Sequence, residues 1–345
     1  MAADYSGPKE VNDAAFAAAN QILGRTTDLF GLKPKIMIVL GSGCGDVANK
    51  IEPRGEIPYE EILGMPVSTV AGHKGALLVG TYNGKPVLAF QGRKHYYEGA
   101  SPQQASFPVY LGKHLGATVV IMTTATGIVP YAGTMADQPI RYPANVGDLV
   151  AVQTYDRNFL PSSLRGPTSK DVGERFNPTI NAPNIYLTLL AQAIAASQGW
   201  RLQKGVYVPQ EGPDYETPAE ISFLSALSYA LRRPVLAGMS MTPELQAANM
   251  LKLDSLVIAV VTNHCFDMAA REQIERELAD GLGKILDSSG KTATHTLAEA
   301  NAMLEPIKQR NQPSHAEVTE VAGRSNVTER LEKLLGGVVN AIKFK

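Results

Sequence analysis

"KIMIVLGSGCGD", Lys35 to Asp46, is the stretch on which the fold turns. Ile36 to Leu40 are apolar without a break, and glycines stand at 41, 43 and 45 directly after them. A strand alternates its side chains between two faces, so an unbroken apolar run predicts burial on both. That is the habit of strands in parallel sheets covered by helices on either side. Such sheets bind ligands outside the carboxyl ends of their strands, where this glycine turn falls.

The flanking sequence agrees. Before it, "KEVNDAAFAAANQILGRT" (Lys9–Thr26) places Val11, Phe16, Ala19 and Ile22 on one face of a helix. After it, "ALLVGTY" (Ala76–Tyr82) and "KPVLAFQG" (Lys85–Gly92) are two strands joined by Asn83-Gly84, a strong hairpin signal. Helical and apolar strand-like segments then alternate. Helices are predicted over Gln103–Gly116, Asn181–Gln198, Thr217–Leu231 and Thr242–Lys252. Strands are predicted over Ala117–Gly127, Val146–Tyr155, Gly205–Pro213, Arg233–Ser240 and Leu253–Asn263. By contrast, "EPRGEIPYEEILGMP" (Glu52–Pro66) offers no apolar strand. The order predicts an α/β fold, a central mixed, mostly parallel sheet flanked by helices. From Asp267 to Pro313 the composition shifts to Ala, Glu, Lys and Leu, with Ile274, Leu278, Leu282 and Ile285 at helical spacing. This predicts a helical insertion near the C-terminal third. No linker divides residues 1–345, so a single domain is expected.

Bulk composition excludes some functions. Lys+Arg 32 against Asp+Glu 33 gives a formal charge of −1, no global field for nucleic acid or an anionic membrane. An anion site must therefore be local. The two cysteines, Cys44 and Cys265, form neither a disulfide framework nor a clustered zinc motif. The opening "MAADYSGPKE" has no leader pattern and no apolar run reaches membrane-spanning length, so a soluble, cytoplasmic protein is expected.

Five stretches carry polar chemistry at predicted strand ends. "GSGCGD" resembles a dinucleotide fingerprint, but its third glycine is replaced by Asp46, and no Lys-Ser/Thr follows to make a P-loop. What remains is a turn that exposes backbone N–H groups and the Ser42 hydroxyl, which suits an anion, or a tight turn of no function. In "FQGRKHYYEG" (Phe90–Gly99), Arg93 and His95 share one face of an extended chain; a guanidinium fork and an imidazole suit phosphate oxygens. The plain alternative is a solvated strand end. "VPQEGPDYETPAE" sets Tyr215 and Glu216 between a strand and a helix, as a binding loop or a surface one. "GMSMTPE" brings Ser240 just before a helix, and "VVTNHC" ends a strand on Asn263. An Asn there is a turn residue, or else a donor and acceptor fit for a heterocycle edge.

Taken together and in order, "GSGCG", "VAGHKG", "GRKHYYEG", "LRGP", "EGPDYE", "GMSMTPE" and "VVTN" resemble the trimeric purine nucleoside phosphorylases, the family that includes methylthioadenosine phosphorylase. The similarity runs from about Pro34 to Thr262 and resumes at "SHAEVTEVAG". It implies phosphate-dependent, reversible cleavage of a purine ribonucleoside to free base and ribose 1-phosphate, in a homotrimer that uses no metal or organic cofactor. By the same resemblance phosphate would be held by Ser42, Arg93, His95, the backbone N–H of Ala125 and Ser240. Tyr97, Met239, Tyr207 and His315 would meet the ribose, His315 at the 5′-hydroxyl. The base would lie against Tyr215, with Glu216 and Asn263 on its polar edge. His95, Glu216 and Asn263 would be the catalytic groups. An aromatic ring from a neighbouring subunit closes the sugar side in the family, and Phe159 is the nearest candidate. Thr124 stands where the family usually has Asn, Ile128 where it has a second glycine, and Tyr131–Asn145 is longer than usual. A 6-oxopurine nucleoside is the expected substrate. Methylthioadenosine phosphorylase is the alternative within the family, where Asp commonly replaces the residue at Asn263. A catalytically silent nucleoside or phosphate sensor is the alternative outside enzymes, and a Rossmann dehydrogenase is disfavoured by Asp46.

Overall fold

The computed structural model describes residues 4–70, 73–131, 140–283, 302, 305 and 313–344. Strand β1 (Ile36–Leu40) is buried throughout, as its apolar run requires. Met37 and Val39 point into one core, Ile36, Ile38 and Leu40 into another on the opposite face. Strands β4 (Lys85–Gln91) and β5 (Val119–Ile128) flank β1, both parallel to it. β3 (Ala76–Tyr82) pairs antiparallel with β4 through Asn83 and Gly84, both at positive φ (49° and 77°), the backbone that a two-residue hairpin turn demands. Beyond β3 lies β2 (Ile51–Pro58), a strand that sequence reading did not foresee. It is an edge strand, mostly exposed, with Pro53 and Pro58 in it and a register break between Pro53 and Gly55. Proline is tolerated there because an edge leaves one row of N–H groups unpaired.

On the other side of β5 the sheet closes on itself. β9 (Asp254–His264) runs parallel to β5 over its length. β6 (Leu149–Tyr155), β7 (Gln203–Pro209) and β8 (Val235–Gly238) continue the sheet, and β8 returns antiparallel to β5 at Gly127 and Ala237. The nine strands run β2-β3-β4-β1-β5-β8-β7-β6-β9, with the β5–β9 pairing completing a five-stranded ring. Five of the nine ladders are parallel, so the mixed, mostly parallel sheet is as expected.

Helices cover both faces. α1 (Pro8–Gly31), α2 (Pro102–His114) and α5 (Thr242–Met250) pack together over the core that includes Met37 and Val39. α3 (Ile185–Ser197) and α8 (Ser325–Ala341) cover the other. α4 (Pro218–Leu231) lies against β8 and α6 (Met268–Gly283), and α7 (His315–Ala322) lies against β9. α6 opens the expected insertion at 267–313; beyond Gly283, only Ala302 and Glu305, both helical, and Pro313 of that stretch are among the described residues. Of the long Tyr131–Asn145 stretch, residues 132–139 likewise lie outside them. No described helix is long and apolar enough to cross a membrane.

Candidate active site

The ends of β1, β4, β7, β8 and β9 meet around the last turn of β5 and enclose a cavity of about 310 Å3. Each strand delivers its side chains through a local device that its sequence dictates. After β1, the Cys44 N–H closes a turn on the Gly41 carbonyl (3.0 Å) with Gly43 at φ 72°, a left-handed backbone that glycine adopts without strain. The turn holds Ser42 in the cavity wall. Gly41 is also needed for space, since a Cβ there would press on the Thr123 carbonyl (2.6 Å) and Nη1 of Arg93 (3.1 Å).

After β4, Gly92 (φ 108°) turns the chain so that Arg93 enters the protein rather than solvent. Arg93 is 2% exposed. Its Nε meets Glu244 at 3.2 Å, and its Nη1 donates to the Thr123 carbonyl (2.9 Å) and to Oγ of Ser240 (3.2 Å). Nη2 is buried with no hydrogen-bond partner among the described residues. Glu244 is a buried carboxylate whose pKa is raised by burial, opposed by the Arg93 charge. A buried guanidinium held at three points, on a residue that lines a cavity, is a device suited to binding an anion.

His95 comes next, stacked flat on Tyr97 at 4.7 Å, both lining the cavity. The Glu98 carboxylate accepts from His95 at Nδ1 (2.9 Å) and from its backbone N–H (2.8 Å). That bond places the Nδ1 proton toward Glu98 and leaves Nε2 for the cavity. Burial holds His95 below its ordinary pKa, opposed by the Glu98 bond and aided by Arg93. Glu98 is raised by burial, but bonds from His95 and Thr69 outweigh this and hold it well below the carboxylate range.

β8 ends on Gly238, and Met239 and Ser240 follow in the cavity wall. Ser240 also lies 3.0 Å from Oγ1 of Thr124. On β5 itself Ala125, Thr126 and Gly127 line the cavity. On β9 the register passes from Thr126↔Val261 to Gly127↔Asn263, so Thr262 is an extra residue. Such a bulge re-aims a strand. Consecutive residues Thr262 and Asn263, which a regular strand would send to opposite faces, both line the cavity here. Oγ1 of Thr262 lies 3.2 Å from both the Thr126 carbonyl and Oδ1 of Asn263. Gly127 leaves room for that amide, since a Cβ on it would sit 3.1 Å from Nδ2 and 3.5 Å from Oδ1 of Asn263. After β7, the loop to α4 carries Tyr215 and Glu216, half-buried, and burial raises the Glu216 carboxyl above its ordinary pKa. His315 opens α7, with Nε2 3.3 Å from Oγ of Ser42.

Of the residues singled out from sequence, Ser42, Arg93, His95, Tyr97, Ala125, Tyr215, Glu216, Met239, Ser240, Asn263 and His315 therefore share one cavity. Two do not. Tyr207 lies behind the wall, not in it: strand alternation sends its ring into the core, fully buried, and its hydroxyl accepts the Ser240 N–H at 2.9 Å. It supports Ser240 and does not face the space where a sugar would lie. Phe159 stands outside the cavity of its own chain, half-exposed and edge-on to Phe223 at 6.3 Å.

Several side chains were missed. His73, within the quoted "VAGHKG", brings Nε2 to 3.2 Å from Oγ of Ser42 and stacks on His95 at 5.3 Å. Burial, with His95 and Arg93 nearby, lowers its pKa to about 4, so its imidazole is neutral at pH 7. Thr262 lines the cavity beside Asn263, whereas Glu244 and Glu98 act through other residues, Glu98 at capping spacing from His95.

Known proteins resemble this chain in sequence and in fold. The family model of the phosphorylase superfamily matches residues 35–297. Purine nucleoside phosphorylase 1 of Bacillus subtilis is 38% identical over 230 residues, 67% of this chain and 79% of that protein. Purine nucleoside phosphorylase 1 of Geobacillus stearothermophilus is 36% identical over 253 residues, 73% of this chain and 85% of that one. Among solved structures, isoform 2 of the purine nucleoside phosphorylase of Schistosoma mansoni, in complex with cytosine and ribose-1-phosphate, superposes with a TM-score of 0.71 at 25% identity, covering 98% of this chain and 99% of that one.

Proposed function

The chain belongs to the phosphorylase superfamily, among the purine nucleoside phosphorylases, enzymes that transfer a pentosyl group, and from that premise we propose that it cleaves inosine and guanosine with inorganic phosphate to give the 6-oxopurine base and ribose 1-phosphate. The observation that carries this choice is the chemical polarity of the cavity. Arg93, with its unpartnered Nη2, His95, Ser42 and Ser240 offer donors to a phosphate, whereas Glu216 and Asn263 offer one acceptor and one donor to a heterocycle. Tyr97 and Met239 lie in the same wall, with apolar surface for the sugar, and Tyr215 presents a ring to the base. The Schistosoma relative, whose complex holds ribose-1-phosphate, supports the same sugar product here.

In this reading phosphate sits on Arg93, Ser42, Ser240, His95 and the Ala125 N–H. His73 stands behind Ser42 and fixes the hydroxyl. Breaking the bond from C1′ to N9 sends its electron pair into the purine and leaves positive charge on the sugar, while a phosphate oxygen bonds to C1′. Phosphate charge stabilises the cationic sugar; a hydrogen bond from Asn263 to N7 stabilises the anionic base, and Glu216 accepts from N1–H. These groups are placed before the reaction, which is how preorganised dipoles lower a barrier. His95 has Nδ1 committed to Glu98, which leaves Nε2 to face the phosphate.

Inorganic phosphate is a co-substrate in this proposal, and no metal or organic cofactor has a part. The assembly proposed is a homotrimer in which Phe159 of one subunit closes the sugar side of the next, and the compartment is the cytoplasm, whose reducing conditions suit the two buried, unpaired cysteines. The 345 residues are proposed to be one domain. A spectrophotometric assay tests the core of the reading. Base release from inosine is expected to depend strictly on phosphate; release at equal rate in phosphate-free buffer would make the protein a hydrolase and leave the donor cluster at Arg93 unexplained.

A further inference from the structure

Tyr215 has two contacts of different kinds. Its ring lines the cavity, and its hydroxyl reaches out of it and donates to the Pro313 carbonyl at 2.7 Å. Pro313 is buried and stands one residue before Ser314, the N-cap of α7, whose hydroxyl accepts the Glu317 N–H while the Glu317 carboxylate accepts the Ser314 N–H. His315, the first residue of α7, and Val318, one turn on, both line the cavity. The loop that carries Tyr215 is itself anchored. The Gln210 N–H donates to the Gly238 carbonyl (2.8 Å), and Gly212, at φ 67°, approaches Met239 and Tyr97 so closely that a Cβ would meet Sδ of Met239 at 2.7 Å. One fixed loop is thus bonded, through one phenolic hydroxyl, to the start of the helix that presents His315.

We propose that the Tyr215 hydroxyl is a positioning group, which by holding the Pro313 carbonyl sets the start of α7 and hence the place of His315 in the cavity. A phenylalanine would supply the same ring to a base; only the hydroxyl joins the two walls. Its consequence is that the base side and the His315 side are set together, 98 residues apart in sequence. Held in this way, His315 meets its ligand without first being ordered, and the entropy of fixing it is removed from the binding step.

The kinetic arm of the test rests on the phosphorolysis reading. Tyr215→Phe keeps the ring and removes the hydroxyl. With saturating phosphate, kcat/KM for inosine is expected to fall about three- to tenfold, the scale of one neutral hydrogen bond. His315→Ala is expected to cost clearly less in the Tyr215→Phe background than in the wild type, because both changes disable the same group. Strictly additive losses overturn the proposal, since a hydroxyl that only stabilises the loop would not interact with His315. Should the wild type fail to consume inosine with phosphate, the functional reading fails by itself, and amide hydrogen exchange on the ligand-free protein decides instead. The Val318 N–H, bonded to the Ser314 carbonyl at 3.0 Å, then exchanges faster in Tyr215→Phe if the latch is real, and an unchanged rate overturns it.

Discussion

A single amide sets the expected choice of base. In the proposed reading Asn263 donates from its amide to the base and Glu216 accepts from N1–H, both residues lining the one cavity. A 6-oxopurine carries an N1–H for Glu216, whereas adenine would set an unprotonated N1 against the carboxylate. Leaving such a buried polar group unpaired costs about 1–3 kcal/mol, so inosine is expected to be favoured over adenosine by about tenfold or more. Asn263→Asp gives the 6-amino group an acceptor and is expected to narrow or reverse the preference. Comparing kcat/KM for both nucleosides in both proteins checks this, and an unchanged ratio removes Asn263 from base selection. Arg93 calls for a different design, because Glu244 beside it is just as buried. Arg93→Ala leaves a lone buried carboxylate, a loss of about 3–5 kcal/mol in stability on top of the lost phosphate contact. Adding Glu244→Gln is expected to recover much of the melting temperature and none of the phosphate use. If both recover together, Arg93 acts on the fold alone.

At the scale of elements, the short turn after β4 works because Glu98 ties His95 of its own turn and the Ser68-Thr69 segment to one carboxylate. Its oxygens accept from His95, from the Thr69 N–H (2.6 Å) and hydroxyl (2.8 Å), and from the Ser68 hydroxyl (3.2 Å). Burial alone would raise its pKa, yet these bonds lower it below the value it has in the unfolded chain. A depressed carboxyl stabilises the fold above its unfolded pKa, and that contribution is lost as pH falls toward its folded one. Glu98→Gln is therefore expected to lower the melting temperature at pH 7 and to lose much of that effect as the medium is acidified below the ordinary carboxylate range. A difference between the two proteins that stays constant with pH would show that the carboxylate charge is not what holds the loop. Such ties explain what sequence could and could not show. The hairpin at Asn83-Gly84 and the buried β1 were legible because each is dictated by a few adjacent residues. β2 was not, because an edge strand needs no apolar face and tolerates its prolines. The closure of β5 on β9, strands separated by more than a hundred residues, has no local signature, and neither has the bulge at Thr262 that turns Asn263 inward. Residues at strand ends could be selected as a set; Glu98 and Glu244, which act through His95 and Arg93, could not.

Over the whole molecule, the apolar surface bears on the proposed trimer. Phe159, Phe223 and Tyr229 are 39%, 61% and 74% exposed, and the first two rings already touch edge-on. Phe159 and Phe223 are apolar rings left exposed among the described residues, and exposed apolar patches can mark surfaces that associate. If Phe159 of one subunit closes the sugar side of the next, it touches nucleoside and not phosphate, since the phosphate donors cluster around Arg93 at the inner wall. Burying a ring of this size contributes about 1.5–3 kcal/mol. Phe159→Ala is therefore expected to raise KM for inosine by about tenfold or more while leaving KM for phosphate close to its wild-type value. Sedimentation of both proteins at assay concentration separates the causes. A trimeric variant with a raised inosine KM places the ring at the neighbour's site, because assembly is intact and only the contact is gone. A trimeric variant with unchanged constants takes Phe159 out of the site and leaves it as surface. A wild type that is monomeric and fully active would sink the shared site altogether, since the cavity of one chain would then suffice to hold the sugar.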